Sequence, residues 1–206
     1  MKLIIATRNR HKLDEIRAIL RLPGLDIVGV AEHPVPLPEV VEDGVTFHAN
    51  AIKKAMTLAL ASRLWTLADD SGLEVEALGD EPGVLSARYA GEPANDAANN
   101  AKLLAKLASA PDRRARFRCV IALCSPTGRA QFVEGVCAGT LASAPRGTLG
   151  FGYDPLFVPD GYTQTFAELD AEAKNRLSHR AQALQRATEL WGQLLAGSAT
   201  DWPARQ

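Results

Sequence analysis

The sequence predicts an α/β fold, because short apolar segments typical of strands alternate with segments of helical periodicity. The first apolar segment is Lys2–Ala6, and a second, Asp26–Val30, follows the turn signal Pro23-Gly24. Between them, Lys12–Leu20 has helical spacing, with apolar residues at Leu13, Ile16, Ile19 and Leu20. The proline-rich range His33–Pro38 is predicted to be an extended loop.

The middle of the chain continues this alternation. Thr46 is predicted to cap a helix whose apolar face is formed by Phe47, Ala51, Ala55 and Leu58. The apolar strand Trp65–Ala68 then leads into a predicted acidic turn, Asp69-Asp70-Ser71-Gly72. Asn95 or Asp96 can cap the next helix, which is expected to end at Leu107.

The second half of the chain is predicted to contain two further strands and a long helix. The strands are Phe117–Cys124 and Gln131–Leu141, joined by the hairpin-type segment Ser125-Pro126-Thr127-Gly128. After a Gly- and Pro-rich stretch from residue 145 to 161, the final helix has a stripe at Ala181, Leu184, Thr188, Trp191 and Leu195. Residues 1–196 are expected to form a single domain, and residues 197–206 a loosely ordered tail.

Composition excludes several classes of protein. The 206 residues carry a formal net charge of −1, with 47% hydrophobic and 23% charged side chains, so a basic nucleic-acid-binding protein is not expected. The apolar start of the chain is too short for a signal peptide, and no segment is predicted to span a membrane. Cys119, Cys124 and Cys137 form no metal-binding pattern and are expected to be reduced core thiols. These features predict a cytoplasmic protein.

Two adjacent carboxylates, Asp69 and Asp70, follow an apolar strand. Strand ends in α/β sheets are where ligands bind, and Mg2+ commonly takes one or two carboxylates together with substrate phosphates. A carboxylate beside such a metal can also accept a proton from an attacking water. The alternative is a turn in which both aspartates cap backbone N–H groups.

The first strand-to-helix turn, Thr7-Arg8-Asn9-Arg10-His11-Lys12, combines hydrogen-bonding side chains with cations. The free N–H groups and the dipole of a helix start favour an anion such as phosphate. Cations are unusual at the positive end of a helix unless an anion compensates them. The alternative is an ordinary solvated helix start, because this turn is not one of the glycine-rich phosphate-binding motifs.

Charged residues also flank the start of the second predicted helix. Glu42 and Asp43 precede it, at a place where carboxylates stabilise a helix as readily as they would bind a metal. Lys53 and Lys54 follow one to two turns further on and are interpreted as a solvated face of the helix.

The segment Gly150-Phe151-Gly152-Tyr153-Asp154-Pro155 has the properties of a base-binding loop. Its glycines let the backbone approach a ligand closely. Phe151 and Tyr153 provide flat surfaces for stacking, and Asp154 can accept hydrogen bonds from ring or exocyclic N–H groups. A packed aromatic turn is the alternative.

A cluster of donors surrounds the predicted start of the final helix. Ser178 can cap this helix, and its neighbours in sequence include Lys174, His179 and Arg180. Their donors suit a carbonyl oxygen. A lone histidine in such a place is usually structural, but the local density of donors favours a binding role.

Taken in order, these clusters resemble one family, the inosine/xanthosine triphosphate pyrophosphatases, which remove non-standard purine nucleotides. Thr7, Asn9 and Lys12 match the family's opening pattern, and residues 42–51 are similar to its Glu-Thr-Gly-x-Thr-Phe-x-x-Asn-Ala block. The most distinctive match is Ala68-Asp69-Asp70-Ser71-Gly72-Leu73, continuing to Pro82-Gly83 and Ser86-Ala87-Arg88-Tyr89. Residues 151–155 and 178–180 resemble the family's base-recognition segments. The resemblance runs from residue 3 to about residue 184.

This resemblance implies an elongated α/β fold in two lobes, with a long mixed β-sheet and a central substrate cleft. It implies Mg2+-dependent hydrolysis of ITP, dITP or XTP between the α- and β-phosphates, which yields a nucleoside monophosphate and pyrophosphate. The reaction keeps these nucleotides out of DNA and RNA. The family also implies a homodimer that binds a nucleoside triphosphate.

The family's functional residues can be carried over one by one. Asp70 would be the general base and a metal ligand, and Glu42 a second metal ligand. The triphosphate would be held by Thr7, Arg8, Asn9, Arg10, His11, Lys12 and Ser71. The base would be recognised by Phe151, Gly152, Tyr153, Asp154, Lys174, His179 and Arg180.

Two other functions compete with this one. A non-catalytic nucleotide sensor on the same scaffold would bind ITP without releasing pyrophosphate. A house-cleaning enzyme of the related septum-inhibitor type would act on modified pyrimidines. The block Ser178-His179-Arg180 argues against the latter.

Overall fold

The computed structural model describes residues 1–197 and Trp202. The strands are β1 (Lys2–Ile5), β2 (Asp26–Gly29), β3 (Trp65–Val75), β4 (Glu81–Pro82), β5 (Arg114–Cys124), β6 (Ala130–Leu141) and β7 (Phe157–Pro159). The α-helices are α1 (Arg10–Ile19), α2 (Phe47–Ser62), α3 (Asp96–Lys106), α4 (Ala171–Leu177) and α5 (His179–Leu195). In the part of the chain that the structure describes, no helix has the length and hydrophobicity of a membrane span.

The seven strands form one mixed sheet. Six of them follow the order β2-β1-β3-β5-β6-β7, and β4 pairs with β3. Strand β1 is parallel to both β2 and β3, so that Ile4 lies beside Val28 on one side and Thr66 on the other. Strands β4 and β7 are antiparallel to β3 and β6. The predicted α/β class with a mixed sheet is therefore confirmed.

The chain divides into two compact units. Unit 1 comprises Met1–Asp70, Val120–Gly135 and Arg180–Gln206, and unit 2 comprises Ser71–Cys119 and Val136–His179. Strands β3, β5 and β6 each contribute residues to both units, because the division falls within them.

Unit 1 is built around the parallel strands at the start of the chain. Leu3, Ile4 and Ile5 of β1 are fully buried, as the apolar run predicts. Helix α5 buries most of its predicted stripe, including Trp191. The rings of Trp65 and Trp191 both meet the ring of Trp202 edge to face. The rest of the predicted tail, apart from Gly197, lies outside the described residues.

Unit 2 has its own aromatic core. Phe117 of β5 packs edge to face on Phe157, with ring centroids 4.7 Å apart, and stacks on Phe166. Tyr153 and Cys137 belong to the same buried cluster. Burial raises the pKa of the Cys137 thiol to about 12, which agrees with the predicted reduced core cysteines.

The predicted caps of α2 and α3 are confirmed, whereas α1 begins at Arg10, before the predicted Lys12, after a cap that was not predicted. Asn9, Thr46 and Asn95 each accept a hydrogen bond from a backbone N–H in the first turn of α1, α2 and α3. Three short elements, β4, β7 and α4, were not predicted. They are two, three and seven residues long, and windows of that length carry little periodicity.

Candidate active site

Asp69 and Asp70 lie inside β3, so the prediction of an acidic turn is wrong. Hydrogen bonding to neighbouring strands keeps the chain extended through Ser71-Gly72, although these residues have turn-like composition. Successive side chains of a strand point to opposite faces of a sheet. The two aspartates consequently have different partners: Asp69 contacts residues of α1 and α5, whereas Asp70 contacts residues of α2.

Asp69 is a fully buried acceptor in a cluster of charges. Its Oδ2 atom lies 3.2 Å from Lys12 Nζ and accepts a hydrogen bond of 2.9 Å from an Arg180 Nη. Arg180 also binds Glu15. Burial alone would raise the pKa of the Asp69 carboxyl, but the charges of Lys12 and Arg180 hold it well below its ordinary value. Asp69 is therefore ionised at neutral pH.

Asp70 has the opposite electrostatic character. Its Oδ2 accepts a hydrogen bond of 3.1 Å from Asn50 Nδ2, and its Oδ1 lies 3.4 Å from Lys54 Nζ. Burial raises the pKa of the Asp70 carboxyl to about 6, against the lowering effect of the Lys54 charge. A carboxyl with such a pKa is mostly ionised at pH 7 and can still accept a proton, as a general base must.

The interpretation of Lys54 as part of a solvated face is wrong. Lys54 is only 7% exposed, and its Nζ donates to Glu42 Oε2 at 2.7 Å as well as facing Asp70. Burial would lower the pKa of the Lys54 amine, but the negative charges of Asp70, Asp69 and Glu42 raise it. Lys53 does lie on the exposed face, where it binds Asp43. The loop before α2 folds back over the helix, and helical periodicity alone does not predict such a contact.

The first loop is ordered by its own side chains. Asn9 Oδ1 accepts a hydrogen bond from Lys12 N, and Thr7 Oγ1 accepts one from Asn9 N, both at 3.2 Å. Arg8, Arg10 and His11 are exposed. The first turn of α1 thus has no acidic residue and several cationic ones, an arrangement that an anion would stabilise.

In unit 2 the loop of residues 150–155 is closed around Asp154. The buried Asp154 Oδ2 accepts hydrogen bonds from Phe151 N at 2.9 Å and from Lys174 Nζ at 2.6 Å. Gly150 has φ +75°, and a Cβ atom there would lie 2.1 Å from Asp154 Oδ2, so the loop requires glycine. Lys174 Nζ also lies 4.7 Å from the centre of the Phe151 ring.

The other predicted base-binding residues are more deeply placed. Of the two rings of the loop, Phe151 is half-buried, whereas Tyr153 is buried in the core with its hydroxyl donating to Ser86 O. His179 is buried and stacks on Phe117 with ring centroids 4.7 Å apart. Ser71 is half-buried in β3.

Comparison with known proteins identifies the family. The model of the Ham1 family matches residues 3–190. The dITP/XTP pyrophosphatase of Desulforamulus reducens is 52% identical over 196 residues, 94% of this chain and 97% of that protein. That of Geobacter sulfurreducens is 53% identical over 185 residues, 89% of this chain and 92% of that protein.

The chain belongs to the Ham1 family.

Solved structures agree with this assignment. The HAM1 protein of Coxiella burnetii is 41% identical, with a TM-score of 0.85, and the match covers 94% of this chain and 99% of that one. The Ham1 protein of Staphylococcus aureus is 40% identical, with a TM-score of 0.84, over 97% of this chain and 100% of that one. The predicted family and fold class are both confirmed.

Two acidic residues of this Ham1 chain have the oxygen ligands that a magnesium ion prefers. Within the described residues there is no cluster of three or more His, Cys, Asp or Glu side chains able to form a complete metal cage. Glu42 and Asp70 nevertheless both face one cation, the Lys54 ammonium. Two carboxylates completed by substrate phosphates and water are a typical Mg2+ environment.

The Ham1 structure also brings in polar residues that were not predicted as site residues. Besides Asn50 and Lys54 in unit 1, the Gly152 N–H donates to Asp96 Oδ2 at 2.6 Å, and Asn100 Nδ2 donates to Gly152 O at 2.9 Å. Asp96 and Asn100 lie one turn apart on α3, so they hold both polar groups of one glycine. Their spacing of four residues was visible in the sequence, but nothing local indicated Gly152 as their partner.

Proposed function

We propose that this chain hydrolyses non-standard purine nucleoside triphosphates (ITP, dITP and XTP) to the monophosphate and pyrophosphate, with Mg2+. The observation that carries the proposal is the buried Asp70, whose pKa is raised to about 6 beside Lys54 and Glu42. It lies in a chain about half identical to proteins named dITP/XTP pyrophosphatases, a finding that supports the predicted enzyme class.

Asp70 is assigned the role of general base. Its ionised carboxylate accepts a proton from water as the water oxygen attacks phosphorus, the α–β phosphoanhydride bond breaks, and pyrophosphate leaves with the bonding electrons. Glu42 and Asp70 would hold Mg2+, which, when bound, would neutralise charge on the phosphate oxygens. Lys54 keeps Asp70 largely ionised at neutral pH, because its positive charge opposes the effect of burial.

The first loop is assigned to the triphosphate. The cationic start of α1 offers donors from Thr7, Arg8, Asn9, Arg10, His11 and Lys12, and Ser71 follows Asp70 directly. A triphosphate would supply the negative charge that this helix start lacks.

The base is assigned to Phe151, Gly152, Tyr153, Asp154, Lys174, His179 and Arg180. A 6-keto purine presents an acceptor at O6, whereas adenine presents an amino donor there. Placing adenine against cationic donors leaves them unsatisfied, at a cost of about 1–3 kcal/mol each, or about one to two factors of ten in rate. In this structure Asp154 holds Lys174 and the Phe151 N–H, which supports a role in shaping the loop besides any contact with the base.

We further propose that residues 1–196 form the catalytic domain, that the protein is a homodimer, and that it is cytoplasmic. These three proposals come from the family resemblance and from the composition. Light scattering coupled to size-exclusion chromatography tests the dimer directly, and a monomeric mass would contradict it.

A panel of nucleoside triphosphates tests the proposed function. With Mg2+ present, we expect ITP, dITP and XTP to release pyrophosphate rather than orthophosphate, and faster than ATP does. Binding of ITP without release would favour the non-catalytic sensor. Faster cleavage of modified pyrimidine triphosphates would favour the septum-inhibitor type of enzyme.

The Asp70 carboxyl is expected to titrate near pH 6 in the protein without nucleotide, and Mg2+ is expected to lower that midpoint. The raised pKa means that the proton is retained up to about pH 6, and a metal ion competes with the proton for the same oxygens. Carboxyl 13C NMR measures the midpoint, with Asp70→Asn used for assignment. Asp43, an exposed carboxylate whose pKa Lys53 lowers, is the control that Mg2+ should leave unchanged. An Asp70 midpoint near 4, or one insensitive to Mg2+, would contradict this prediction.

The Lys174→Met variant is expected to lose kcat/KM for ITP by about 10- to 100-fold, because it removes a charged donor. The loss of kcat/KM for ATP should be smaller, so the ratio of kcat/KM for ITP to that for ATP should fall. Lys102→Met is the control for removing a lysine that lies over an aromatic ring, since the exposed Lys102 Nζ lies 4.4 Å from the centre of the Tyr89 ring. Equal losses of kcat/KM for ITP and ATP would show that Lys174 supports the fold and does not recognise the base.

A further inference from the structure

The side chain of Asn50 uses both ends of its amide inside unit 1. Asn50 lies in the first turns of α2 and is 2% exposed. Its Oδ1 accepts a hydrogen bond of 2.8 Å from Gly44 N, and its Nδ2 donates to Gly44 O at 3.4 Å and to Asp70 Oδ2 at 3.1 Å. One amide therefore joins the loop before α2 to the carboxylate in β3.

We infer that Asn50 is a positioning residue that sets the place of Asp70 relative to Glu42. The inference rests on the proposed function, in which these two carboxylates act together. Glu42 lies two residues before Gly44, so the loop that Asn50 holds is the loop that carries Glu42. Lys54, one helical turn after Asn50, contacts both carboxylates. Helix α2 thus touches the pair at two successive turns.

The chemistry of the amide determines the orientation of the carboxylate. The Nδ2 group can only donate, and an ionised carboxylate can only accept, so Asp70 Oδ2 is held on Asn50. The other oxygen, Oδ1, is then directed to the side of Lys54 and Glu42. A salt bridge to Lys54 alone would leave the carboxyl group free to rotate, because an ammonium group can donate to either oxygen.

Gly44 is required by the same contact. Its backbone does not have a positive φ, so conformational freedom is not the reason for glycine here. A Cβ atom at Gly44 would lie 2.6 Å from Asn50 Oδ1 and 2.9 Å from Ala49 Cβ. Any larger residue would push the buried amide away from its partners.

Three variants separate the parts of this arrangement. Asn50→Ala removes both the Oδ1 acceptor and the Nδ2 donor of the amide. Asn50→Asp keeps an acceptor for Gly44 N but cannot donate to Asp70. Gly44→Ala keeps every group of Asn50 and displaces it. For all three we expect kcat for ITP to fall, by on the order of 100-fold for the Asn50 variants and about 10-fold for Gly44→Ala, with KM little changed.

The controls are matched in burial and in type of bond. Asn99 is equally buried at 2%, and it holds Ala90 N and Ala87 O of a neighbouring loop without contacting a carboxylate. Asn99→Ala should therefore lower thermal stability but leave kcat unchanged. Gly192→Ala, where a Cβ would meet only Thr188 at 3.7 Å, is the control for adding a methyl group.

Two measurements distinguish positioning from general damage. The affinity for ITP in EDTA, measured by calorimetry, should be unchanged in all variants, since the first loop and the base loop are intact. The double variant Gly44→Ala/Asn50→Ala should have the kcat of Asn50→Ala, because displacing an absent amide has no further effect. If Asn50→Ala does not fold, the kcat values of Gly44→Ala and Asn50→Asp test the inference instead.

Three results would overturn the inference: wild-type kcat in Asn50→Asp, an equal kcat loss in Asn99→Ala, or effects that multiply in the double variant. These failures differ from a failure of the proposed function. If the wild-type protein releases no pyrophosphate from any triphosphate, the proposed function is wrong and the inference falls with it. If the wild type is active and the variants match it, the inference alone is wrong.

Discussion

We expect the Asp70→Asn variant to release pyrophosphate from ITP about 100- to 10,000-fold more slowly than the wild type, because this is the usual contribution of a general base. The amide has nearly the same shape and size, but it cannot take a proton from water. Loss of one ligand of the proposed Mg2+ site would add to the effect. Single-turnover pyrophosphate release with saturating Mg2+ measures it.

The same substitution should leave the fold intact. Burial raises the pKa of Asp70, so the folded protein binds this proton more tightly than the unfolded chain does. The protonated carboxyl therefore stabilises the fold below about pH 4, and this stabilisation is lost as pH rises through about 6. At pH 7 the neutral asparagine should thus be tolerated, with an unfolding temperature no lower than that of the wild type. Asp43→Asn, which removes an exposed carboxylate near Glu42, should retain full activity. Near wild-type turnover in Asp70→Asn would remove Asp70 from the base role.

The Arg180→Met variant is expected to lower the free energy of unfolding by about 3–5 kcal/mol, because it removes one partner of a buried ion pair and leaves the other charged. Arg180 is 1% exposed and is bound by Asp69 and Glu15. Methionine occupies a similar volume, so most of the loss should come from the buried Asp69 charge, which keeps Lys12 but loses the hydrogen bonds from Arg180. Urea denaturation followed by tryptophan fluorescence measures the change.

Arg176→Met is the matched control for this substitution. Arg176 also pairs with a glutamate, but both side chains of that pair are mostly exposed, and such pairs contribute little. The effect of Arg180→Met should also depend on pH. The pKa of Asp69 is lowered in the folded protein, so its ion pairs stabilise the fold above about pH 4 and lose that effect as pH falls further. Equal stability losses in the two arginine variants at pH 7 would show that the buried cluster has no special role.

Local signals in the sequence were sufficient for much of the fold. The predicted caps Thr46 and Asn95 start their helices because a side-chain oxygen three residues before a free N–H is a local arrangement. The apolar runs at the start of β1 and β3 predicted buried strands, because hydrophobicity alone is enough to predict that such residues are buried.

Contacts distant in sequence were not predictable in the same way. Lys54 was expected in solvent because its position on α2 has no local acidic partner, yet Glu42 and Asp70 lie 12 and 16 residues away in the chain and surround it. Asn50 and Asn100 were overlooked for the same reason, since their partners lie on other elements.

The sequence by itself determined the α/β class and the family, and it indicated Asp70 and Glu42 as candidate site residues. Only the tertiary structure decided what each of the adjacent aspartates does. Because neighbouring side chains of a strand point to opposite faces, Asp69 meets Lys12 and Arg180 and remains charged, whereas Asp70 meets Asn50 and Lys54 and retains a proton up to about pH 6. Two identical residues next to each other in the chain thus acquire different acidities from their surroundings.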